Sequence, residues 1–482
     1  MRDALMGGVP FARLAPGACA RVHEAALGIL ERTGARLMEP RAVDLLARAG
    51  ARVDGDHVWI PRDLVARALA TAPRAVTLYD RLGRPAIELA GHSFWAGPGS
   101  DCLHILDHRT GERRTPTLAD LREGIALVDA LPNLDFVMSL FIPGEVDGRL
   151  ADRHQMAAML EGTTKPIVMV SYEPSGMRDG LEMAEIVAGG PDALRERPFV
   201  ATYVNVTRAL LQGESELQKL LWLSERGYPF LWIPVTSGGT TGPVTLAGNI
   251  AVNNAGVLVG LVLAQLVREG TPLVIPGFGG EFLDLRTLVD PYAEPDSLGI
   301  APALAHHYGL PMFSLAGGSD SKLVDQQAAT DAALTMLGTA LAGGHLIHDS
   351  GYLESGLTGS LVQVAICDEI AAWVRTAIAP VAIDDETLAL DLVDRVGPEG
   401  SFLETDHTVA HYRERWYPTL MNRQPYATWL ARGGTTLAER AAQRVDRLLA
   451  SHGPPPLPDA ARNAIDEILE RAARTPRTAP QP

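Results

Sequence analysis

The sequence predicts an α/β fold: a (β/α)8 TIM barrel with an N-terminal α+β extension and a C-terminal helical extension. Between residues 91 and 380, eight short apolar runs rich in β-formers alternate with longer stretches of helical spacing. Such alternation predicts a parallel sheet. Eight units in roughly 290 residues match the usual size of a (β/α)8 barrel. An open doubly wound sheet is the alternative, and it usually has fewer strands.

Residues 1–90 form the predicted N-terminal extension, made of short helices and a hairpin. The stretch "ACARVHEAALGILERTG" has helical apolar spacing and ends at a glycine, and "PRDLVARALATAP" begins at a proline, as helices often do. "AVTLYDRLGRPAIEL" alternates on both sides of a turn, which predicts a β-hairpin.

Residues 91–380 form the predicted barrel. Its predicted strands are, in order, "HSFWAGP", "LDFVMSLFI", "KPIVMVSY", "FVATYVN", "PFLWIPVT", "PLVIPGF", "PMFSLAG" and "HLIHDSG". Its predicted helices span residues 118–130, 149–161, 176–188, 214–227, 246–268, 296–308, 323–341 and 359–378. The fifth helix is apolar enough for a membrane, but Asn249, Asn253 and Asn254 lie on one side of it, which favours a helix buried in protein.

Residues 381–482 form the predicted C-terminal helical extension. "TLAERAAQRVDRLLASHG" has helical spacing, and "PPPLP" is a stiff break before a terminal helix at about 458–473. The tail "TPRTAPQP" is expected to be disordered because it is polar, proline-rich and terminal.

Composition excludes several classes of partner and compartment. The formal net charge of −16 argues against nucleic acid or an anionic membrane as a partner. The three cysteines are far apart and form no CxxC pair, so we expect a reducing, cytoplasmic location without disulfides or a cysteine metal site. The N-terminus lacks the long apolar core of a signal peptide.

Barrel active sites lie at the carboxyl ends of the strands, so the residues that end each run are the candidates. Aromatic faces and carboxylates dominate there, and together they suit an organic cation. The substrate-binding candidates are Trp95, Tyr203, Phe278, Gly318, Lys322, Asp349 and Tyr352, and the catalytic candidates are His348, Glu354 and Asp320. Each has a structural alternative: core packing for the aromatics, a helix cap or a solvated charge for Asp320, Lys322 and Glu354, and a satisfied structural role for His348. Glu281 also follows the sixth run, and we find no convincing metal site in the sequence.

Four long motifs carry a resemblance to a known family. They are, in chain order, "SGGTTGPVTLAGNIAVNNA", "YGLPMFSLAGGSDSKLVDQQA", "SGYLESGLTGSLVQ" and "NRQPYATW". The chain resembles the trimethylamine methyltransferase family, the corrinoid-dependent MttB-type enzymes, almost from end to end. The resemblance implies a barrel enzyme that moves a methyl group from an amine to the cobalt of a separate corrinoid protein.

Two positions depart from the family pattern. Where the family's trimethylamine enzymes carry pyrrolysine, this sequence has Gly318, in "GGSDSK". The chain is therefore similar to the branch without pyrrolysine, which includes glycine betaine:corrinoid methyltransferases. A quaternary ammonium is already cationic and leaves as a neutral amine, so it needs no covalent activator. The second departure is Gly256, where the family pattern leads us to expect a glutamate.

The resemblance implies a function and a set of roles. We expect a methyltransferase that moves a methyl group from a glycine betaine-like quaternary amine to Co(I) of a partner corrinoid protein. No cofactor is expected to be tightly bound, and we expect a homo-oligomer. Trp95, Tyr203, Phe278 and Tyr352 would cage the cation; Asp320, Asp349 and Glu354 would offset its charge; His348 or Lys322 would hold a substrate carboxylate. Two alternatives remain open: a non-catalytic betaine-binding or sensor protein, and a cobalamin-independent barrel lyase or hydrolase.

Overall fold

A seven-stranded parallel sheet forms the centre of the protein in the computed structural model, which describes residues 11–279 and 282–474. The predicted disordered tail and Glu281 lie outside these residues. Neighbouring strands of the sheet are, in order, Trp95–Pro98, Leu346–Ser350, Met312–Leu315, Leu273–Pro276, Phe230–Pro234, Val200–Val206 and Ile167–Val170. Every neighbouring pair is parallel. The first strand in the chain therefore lies beside the last, as barrel closure requires.

The second predicted strand, residues 134–142, is irregular, and this part of the prediction was wrong in detail. The segment still lies between strands one and three. Val137 donates its backbone N–H to Pro166 and accepts from Val168, while Asp135 donates its backbone N–H to Ala96. The Asp135 carboxylate also accepts from the Ala96 nitrogen at 2.8 Å, so a side chain replaces part of the backbone ladder. The segment closes the ring, and we number the eight barrel strands with it as the second.

A helix follows each of the eight barrel segments, which confirms the predicted (β/α)8 barrel. These helices are Leu118–Ala130, Ala151–Gly162, Pro174–Ala188, Glu214–Arg226, Leu246–Val267, Ile300–Tyr308, Gln326–Leu341 and Leu361–Ile378, with a short extra helix at Pro191–Glu196. Leu246–Val267 is long and apolar enough to cross a membrane, yet 83% of its most apolar window is buried. It packs against barrel strands and the three N-terminal helices as a core helix.

The predicted hairpin closes the amino-terminal end of the barrel. Its strands Val76–Tyr79 and Pro85–Leu89 pair antiparallel. The hairpin's four buried side chains share one hydrophobic cluster with residues of the barrel interior. Those barrel residues are Trp95, Phe136, Met138, Val168, Ala201, Leu231, Ile233, Val274, Phe313 and Leu346. Because this end is filled with apolar side chains, an open site is left only towards the carboxyl ends of the strands.

The N-terminal extension contains more structure than the sequence predicted. Its helices are Pro16–Arg32, Pro40–Arg48 and Arg62–Thr71. The second helix and a small sheet were not predicted. The strands of this sheet are Ala35–Leu37, Arg52–Asp54 and His57–Trp59, joined by Leu211–Gln212 from the loop after the fourth barrel strand.

A second unpredicted sheet lies over the carboxyl end of the barrel. It joins the loops after the first and eighth strands through Tyr352–Leu353, Thr358–Gly359, His104–Leu106 and Arg113–Arg114, with a 3-10 turn at Glu354–Gly356. The C-terminal extension contains helices Asp385–Leu388, Leu390–Val396, Asp406–His411, Tyr426–Ala431, Leu437–Ser451 and Asp459–Arg474, and a 3-10 turn at Tyr412–Glu414. The last two helices pack on the outside of the barrel helices.

Candidate active site

A cavity of about 370 Å³ opens at the carboxyl-terminal end of the barrel. The ends of strands four to eight form its inner wall, and the long loop after strand six forms the opposite wall. Its lining includes Tyr203, Phe278, Tyr292, Asp290, Glu294 and His348. Barrel enzymes carry their active sites at this end. Three candidates from the sequence, Tyr203, Phe278 and His348, therefore meet in one cavity.

Strand periodicity explains why these side chains meet. Alternate residues of a strand face the same side, so Ala201 and Tyr203 both point into the barrel, as do Leu346 and His348. The lower residue of each pair fills the core, and the upper one reaches the cavity. Tyr203 and Phe278 pack against the core from above, which makes the cavity floor aromatic.

His348 is held firmly by the floor of the cavity. Its ring stacks on Phe313, with centroids 4.0 Å apart and planes inclined by 21°. Its Nδ1 lies 2.7 Å from the carbonyl oxygen of Ser314, so this nitrogen carries the proton and Nε2 is the free acceptor of the neutral ring. Burial lowers the pKa of His348 to about 4, against the opposing effect of the Ser314 hydrogen bond. The imidazole is therefore neutral at neutral pH and adds no positive charge to the site.

Two carboxylates stand in the outer wall. Asp290 accepts a hydrogen bond from the Ser237 hydroxyl at 3.2 Å. Glu294 accepts from the backbone nitrogens of Asp296 at 2.7 Å and Ser297 at 3.0 Å. Within the described residues neither carboxylate pairs with a lysine, arginine or histidine. Aromatic rings on one wall and uncompensated carboxylates on the other form an environment that attracts an organic cation.

The polar side chains of the loop after strand seven make hydrogen bonds within the loop and to the helix that follows it. The Ser319 hydroxyl donates to Asp331 on the following helix at 2.7 Å, and the Ser321 hydroxyl donates to Asp325 at 3.0 Å. Asp325, rather than Asp320, caps that helix by accepting from the Ala328 nitrogen. Lys322 is exposed, and its Nζ donates to the carbonyl oxygen of Asp320 at 2.8 Å.

Asp320 connects this loop to the outer wall of the cavity. Its carboxylate accepts the backbone N–H groups of Tyr292 and Ala293, and the Ser355 hydroxyl at 2.7 Å. The carboxylate thereby holds together the loops after strands six, seven and eight. Asp320 itself does not line the cavity; it acts on the cavity by fixing Tyr292.

A second polar cluster lies beside the cavity, at the ends of strands one and eight. Asp101 accepts hydrogen bonds from the Tyr172 hydroxyl at 3.0 Å, from Gln155 at 3.2 Å and from the Ser100 hydroxyl at 3.0 Å. Burial raises its pKa despite these bonds. The Tyr352 hydroxyl donates to the Ser100 carbonyl oxygen, and burial also raises the pKa of Tyr352.

Asp349 is the most unusual member of this cluster. Its side chain is about 1% exposed, and its Oδ2 has no hydrogen-bond partner among the described residues. Its Oδ1 lies 3.4 Å from His348 Nε2. Burial raises the pKa of Asp349 well above its usual range, which favours the neutral acid.

Backbone strain is concentrated around the same rim. Asp101 and Asp349 have φ values of 66° and 89°, and Leu140, Glu354 and Ser355 also adopt positive φ. Non-glycine residues rarely adopt this region, and such strain clusters at functional sites.

Other predicted candidates lie away from the cavity. Trp95 is the first residue of its strand, and its Nε1 donates to the Glu88 carbonyl oxygen of the hairpin at 2.9 Å, so it lies at the amino-terminal end of the barrel. Glu354 accepts hydrogen bonds from Arg113 at 2.7 Å and from Thr358 at 2.6 Å. Burial raises the pKa of Glu354, but these hydrogen bonds outweigh burial, so the pKa is lowered. The structure brings neither side chain to the lining.

The sequence reasoning missed Tyr292, Asp290 and Glu294. They lie in "VDPYAEP", part of a loop of more than twenty residues between strand six and its helix. A loop of this length inside a compact barrel is itself a functional signal, because most connections are far shorter. Within the described residues, no group of three or more His, Cys, Asp or Glu side chains could hold a metal ion.

Comparison with known proteins bears directly on this site. A sequence model of the trimethylamine methyltransferase (MTTB) family matches residues 5–476. The chain belongs to the trimethylamine methyltransferase family. It is 31% identical over 455 residues to the trimethylamine methyltransferase MttB of Desulfitobacterium hafniense strain DCB-2, covering 93% of this chain and 91% of the relative. It is 29% identical over 445 residues to the glycine betaine methyltransferase of Desulfitobacterium hafniense strain Y51, covering 91% of this chain and 92% of the relative.

A solved structure, the monomethylamine methyltransferase MtmB of Methanosarcina barkeri, aligns with a TM-score of 0.48 at 11% identity, over 92% of this chain and 90% of that one. Membership of the trimethylamine methyltransferase family supports methyltransferase activity for this chain.

Both departures from the family pattern have a physical counterpart. A Cβ at Gly318 would lie 3.1 Å from the Tyr292 ring, so Tyr292 fills the space beside the missing side chain. At Gly256, a Cβ would lie 2.7 Å from the backbone of Ala209. The Gly256 carbonyl also accepts from Gln212 at 3.2 Å and Trp232 at 3.3 Å. Close packing there leaves no room for the glutamate that the trimethylamine methyltransferase family led us to expect.

Proposed function

We propose that this enzyme demethylates a quaternary amine and delivers the methyl group to the corrinoid of a partner protein. The observation that carries the proposal is the cavity itself: Tyr203 and Phe278 on the inner wall face an outer wall that holds Tyr292 and two uncompensated carboxylates, and a neutral His348 closes the floor. Such a site attracts a permanent cation without needing to protonate or modify it. Family membership supports the methyl-transfer chemistry.

The bond changes favour a quaternary substrate. In the transfer, the bond between a methyl carbon and nitrogen breaks, the nitrogen keeps the electron pair, and a neutral tertiary amine is released. A reduced corrinoid would supply a Co(I) centre whose electron pair forms the new bond to the methyl carbon. Trimethylamine is a far poorer donor when neutral, since an amide-like anion would have to leave. Gly318 offers no side chain with which to activate it.

The residues of the chain would bind, orient and shield the substrate. The aromatic faces hold the ammonium by cation–π attraction, worth about 0.5–2 kcal/mol for each ring, depending on how dry the site is. Asp320 keeps Tyr292 against the cavity through its backbone hydrogen bonds. The neutral imidazole of His348 lines the site without repelling the cation, and burial raises the pKa of Asp349 beside it, which favours an uncharged carboxyl there. Positioning of this kind is the main contribution a protein makes when a cofactor carries the chemistry.

The rim also suits a docked corrinoid protein. Leu288, Leu323 and Leu357 are exposed on the loops after strands six, seven and eight, and Val244 is exposed after strand five. Apolar side chains grouped around a cavity mouth mark an interaction surface. They fit the apolar edge of a corrin ring and of the protein that carries it.

We further propose a cytoplasmic location, a homo-oligomeric assembly and a division of the chain at about residues 90 and 380.

A panel of methylated amines tests the proposal. Purified enzyme is mixed with reduced cobalamin, or with a corrinoid protein of the same organism, and methylation is followed by cobalamin absorbance. We expect one or more quaternary amines to be demethylated and trimethylamine to be left untouched. Robust trimethylamine turnover without quaternary-amine activity would contradict the proposal. Tight binding without turnover would favour the sensor alternative, and turnover without cobalamin would favour a lyase or hydrolase.

A further inference from the structure

The charges around the cavity are of one sign. Asp290 and Glu294 line it, and within the described lining there is no lysine or arginine. His348 is the described lining residue that could become cationic, and burial keeps it neutral down to about pH 4. An ammonium that enters is therefore attracted, whereas an anionic group on the same molecule meets two carboxylates and no counter-ion.

Cations on the neighbouring loops are occupied elsewhere. Lys322 donates to the backbone carbonyl of Asp320. Arg286 is paired with Asp284 at 2.9 Å, and Arg113 with Glu354 at 2.7 Å. None of the three lines the cavity. We expected Lys322 or His348 to hold a substrate carboxylate. The geometry supports this role for neither residue, because Lys322 does not line the cavity and His348 is neutral.

The polar groups that remain for the far end of a substrate are neutral. Thr236, Asn205 and Ser297 line the cavity, and the Thr236 hydroxyl is buried without a hydrogen-bond partner among the described residues. A hydroxyl and an amide can each exchange hydrogen bonds with a neutral alcohol. They compensate a buried carboxylate poorly, since burying an anion requires an opposite charge or several donors.

We infer that the preferred substrate is a quaternary ammonium that carries no carboxylate, such as a simple tetraalkylammonium or a quaternary amino alcohol. The inference rests on the proposed function and narrows it, because glycine betaine is a zwitterion. Asp290 and Glu294 act in it as specificity residues. They favour the net cation over the zwitterion of the same size.

Choline and glycine betaine are a matched pair for the test, since they share the trimethylammonium group and differ in a hydroxymethyl or a carboxylate. Calorimetry on the full chain measures binding of each, with tetramethylammonium as a third probe. We expect choline to bind at least about tenfold more tightly than glycine betaine, a ratio that corresponds to about 1.4 kcal/mol. Added salt should reduce the choline affinity more than the betaine affinity.

Isosteric neutral variants test whether the two carboxylates cause the preference for choline over glycine betaine. Asp290→Asn and Glu294→Gln keep an acceptor for Ser237 and for the backbone nitrogens, and each should narrow the choline-to-betaine ratio by several-fold. Equal or tighter betaine binding in the wild type, together with betaine demethylation, would overturn this inference and leave the proposed function standing. If no quaternary amine binds or is demethylated, both fail. An unchanged ratio in both variants would also overturn the role of the two carboxylates.

Discussion

The carboxylate of Asp320 accepts the backbone N–H of Tyr292 at 2.9 Å, across 28 residues of sequence. This bond joins the loop after strand seven, which carries Gly318, to the loop that forms the outer wall of the cavity. Tyr292 in turn lies against the space beside Gly318. Asp320 is therefore best regarded as a positioning residue, which shapes the cation site without touching its contents.

Replacing Asp320 should loosen this wall. In Asp320→Ala the nitrogens of Tyr292 and Ala293 lose a charged acceptor, and hydrogen bonds to charged groups are worth about 1.5–3 kcal/mol. We expect the melting temperature to fall by several degrees and tetramethylammonium affinity to fall about tenfold, measured by thermal unfolding and calorimetry. Asp320→Asn should lose less of the melting temperature and less of the tetramethylammonium affinity than Asp320→Ala. Lys322→Ala, which removes an exposed side chain of the same loop, is the control and should change neither.

Bulk at Gly318 should displace Tyr292. The Cβ of Gly318→Leu would press on the Tyr292 ring, and the rest of the side chain has no open space before Tyr352 and Asp349. Gly318 has no positive φ, so backbone strain adds nothing to the cost. We expect a folded protein with severely reduced binding and methyl transfer. Gly453→Leu, where a Cβ meets nothing within 4 Å, controls for the substitution itself. If Gly318→Leu bound the amine as tightly as the wild type, the loop after strand seven would not line the substrate site.

His348 should matter for both stability and activity. A purely catalytic role for His348 predicts that His348→Ala lowers turnover at least about tenfold, or about 1.4 kcal/mol, with little change in melting temperature. Its burial against Phe313 changes the second expectation, because truncation leaves a cavity that costs about 2–4 kcal/mol. His348→Phe keeps the stacking and is the better probe of activity. Since the pKa is about 4, the pH profile of kcat/KM should show no His348 limb near pH 6.5. A limb near pH 6.5 that is present in the wild type and absent in His348→Phe would show that His348 is not neutral in the folded enzyme.

Asp349→Asn should stabilise the protein in a pH-dependent way. The folded-state pKa of Asp349 is raised by burial, so the folded state binds a proton that the unfolded state has lost above its ordinary pKa near 4. Wild-type stability therefore declines as pH rises from about 4 towards the folded pKa. Asparagine is neutral throughout and tolerates the φ of 89°. The melting temperature of the variant should exceed that of the wild type at pH 7 and approach it at pH 4. A constant difference across this range would show that Asp349 is ionised when folded.

Charges on the apolar rim should block the partner without affecting the amine. Leu323 and Leu357 are 59% and 46% exposed on the seventh and eighth loops, so Leu323→Asp and Leu357→Asp should not disturb folding. We expect unchanged tetramethylammonium binding, near-normal methylation of free cobalamin, and at least about a tenfold loss with the corrinoid protein, since charge in an apolar interface is costly. Val381→Asp, at an apolar position 81% exposed in the C-terminal extension, is the matched control. Equal losses in all three variants would contradict a docking surface at the mouth.

Local signals in the sequence predicted the barrel well. The helix at residues 118–130 is predicted to the residue because Thr117 and Asp120 form a capping box at its start. The second barrel segment could not be predicted as irregular, because part of its ladder is replaced by the Asp135 side chain, which accepts from Ala96 on a strand distant in sequence. That substitution is a tertiary event with no local signature.

The site was predicted where it depends on strand position and missed where it depends on loops. Tyr203, Phe278 and His348 follow from the rule that barrel sites lie at strand ends. Trp95 was assigned to the rim as one of the residues that end the first apolar run, but its strand only begins there. Tyr292 enters the cavity through a hydrogen bond to a residue 28 positions away, which no periodicity or motif in its own loop encodes.

The hairpin that seals the amino-terminal end of the barrel has a kinetic consequence. Because apolar side chains fill that end, the amine and the proposed corrinoid partner would both reach the site through the carboxyl-terminal mouth. Under the proposed function, a partner that docked first would block the amine, so we expect ordered binding with the amine first. The demethylated product would stay beneath the docked partner until the two proteins dissociate. Dissociation would then limit turnover, and we expect a large excess of unmethylated partner to inhibit the enzyme.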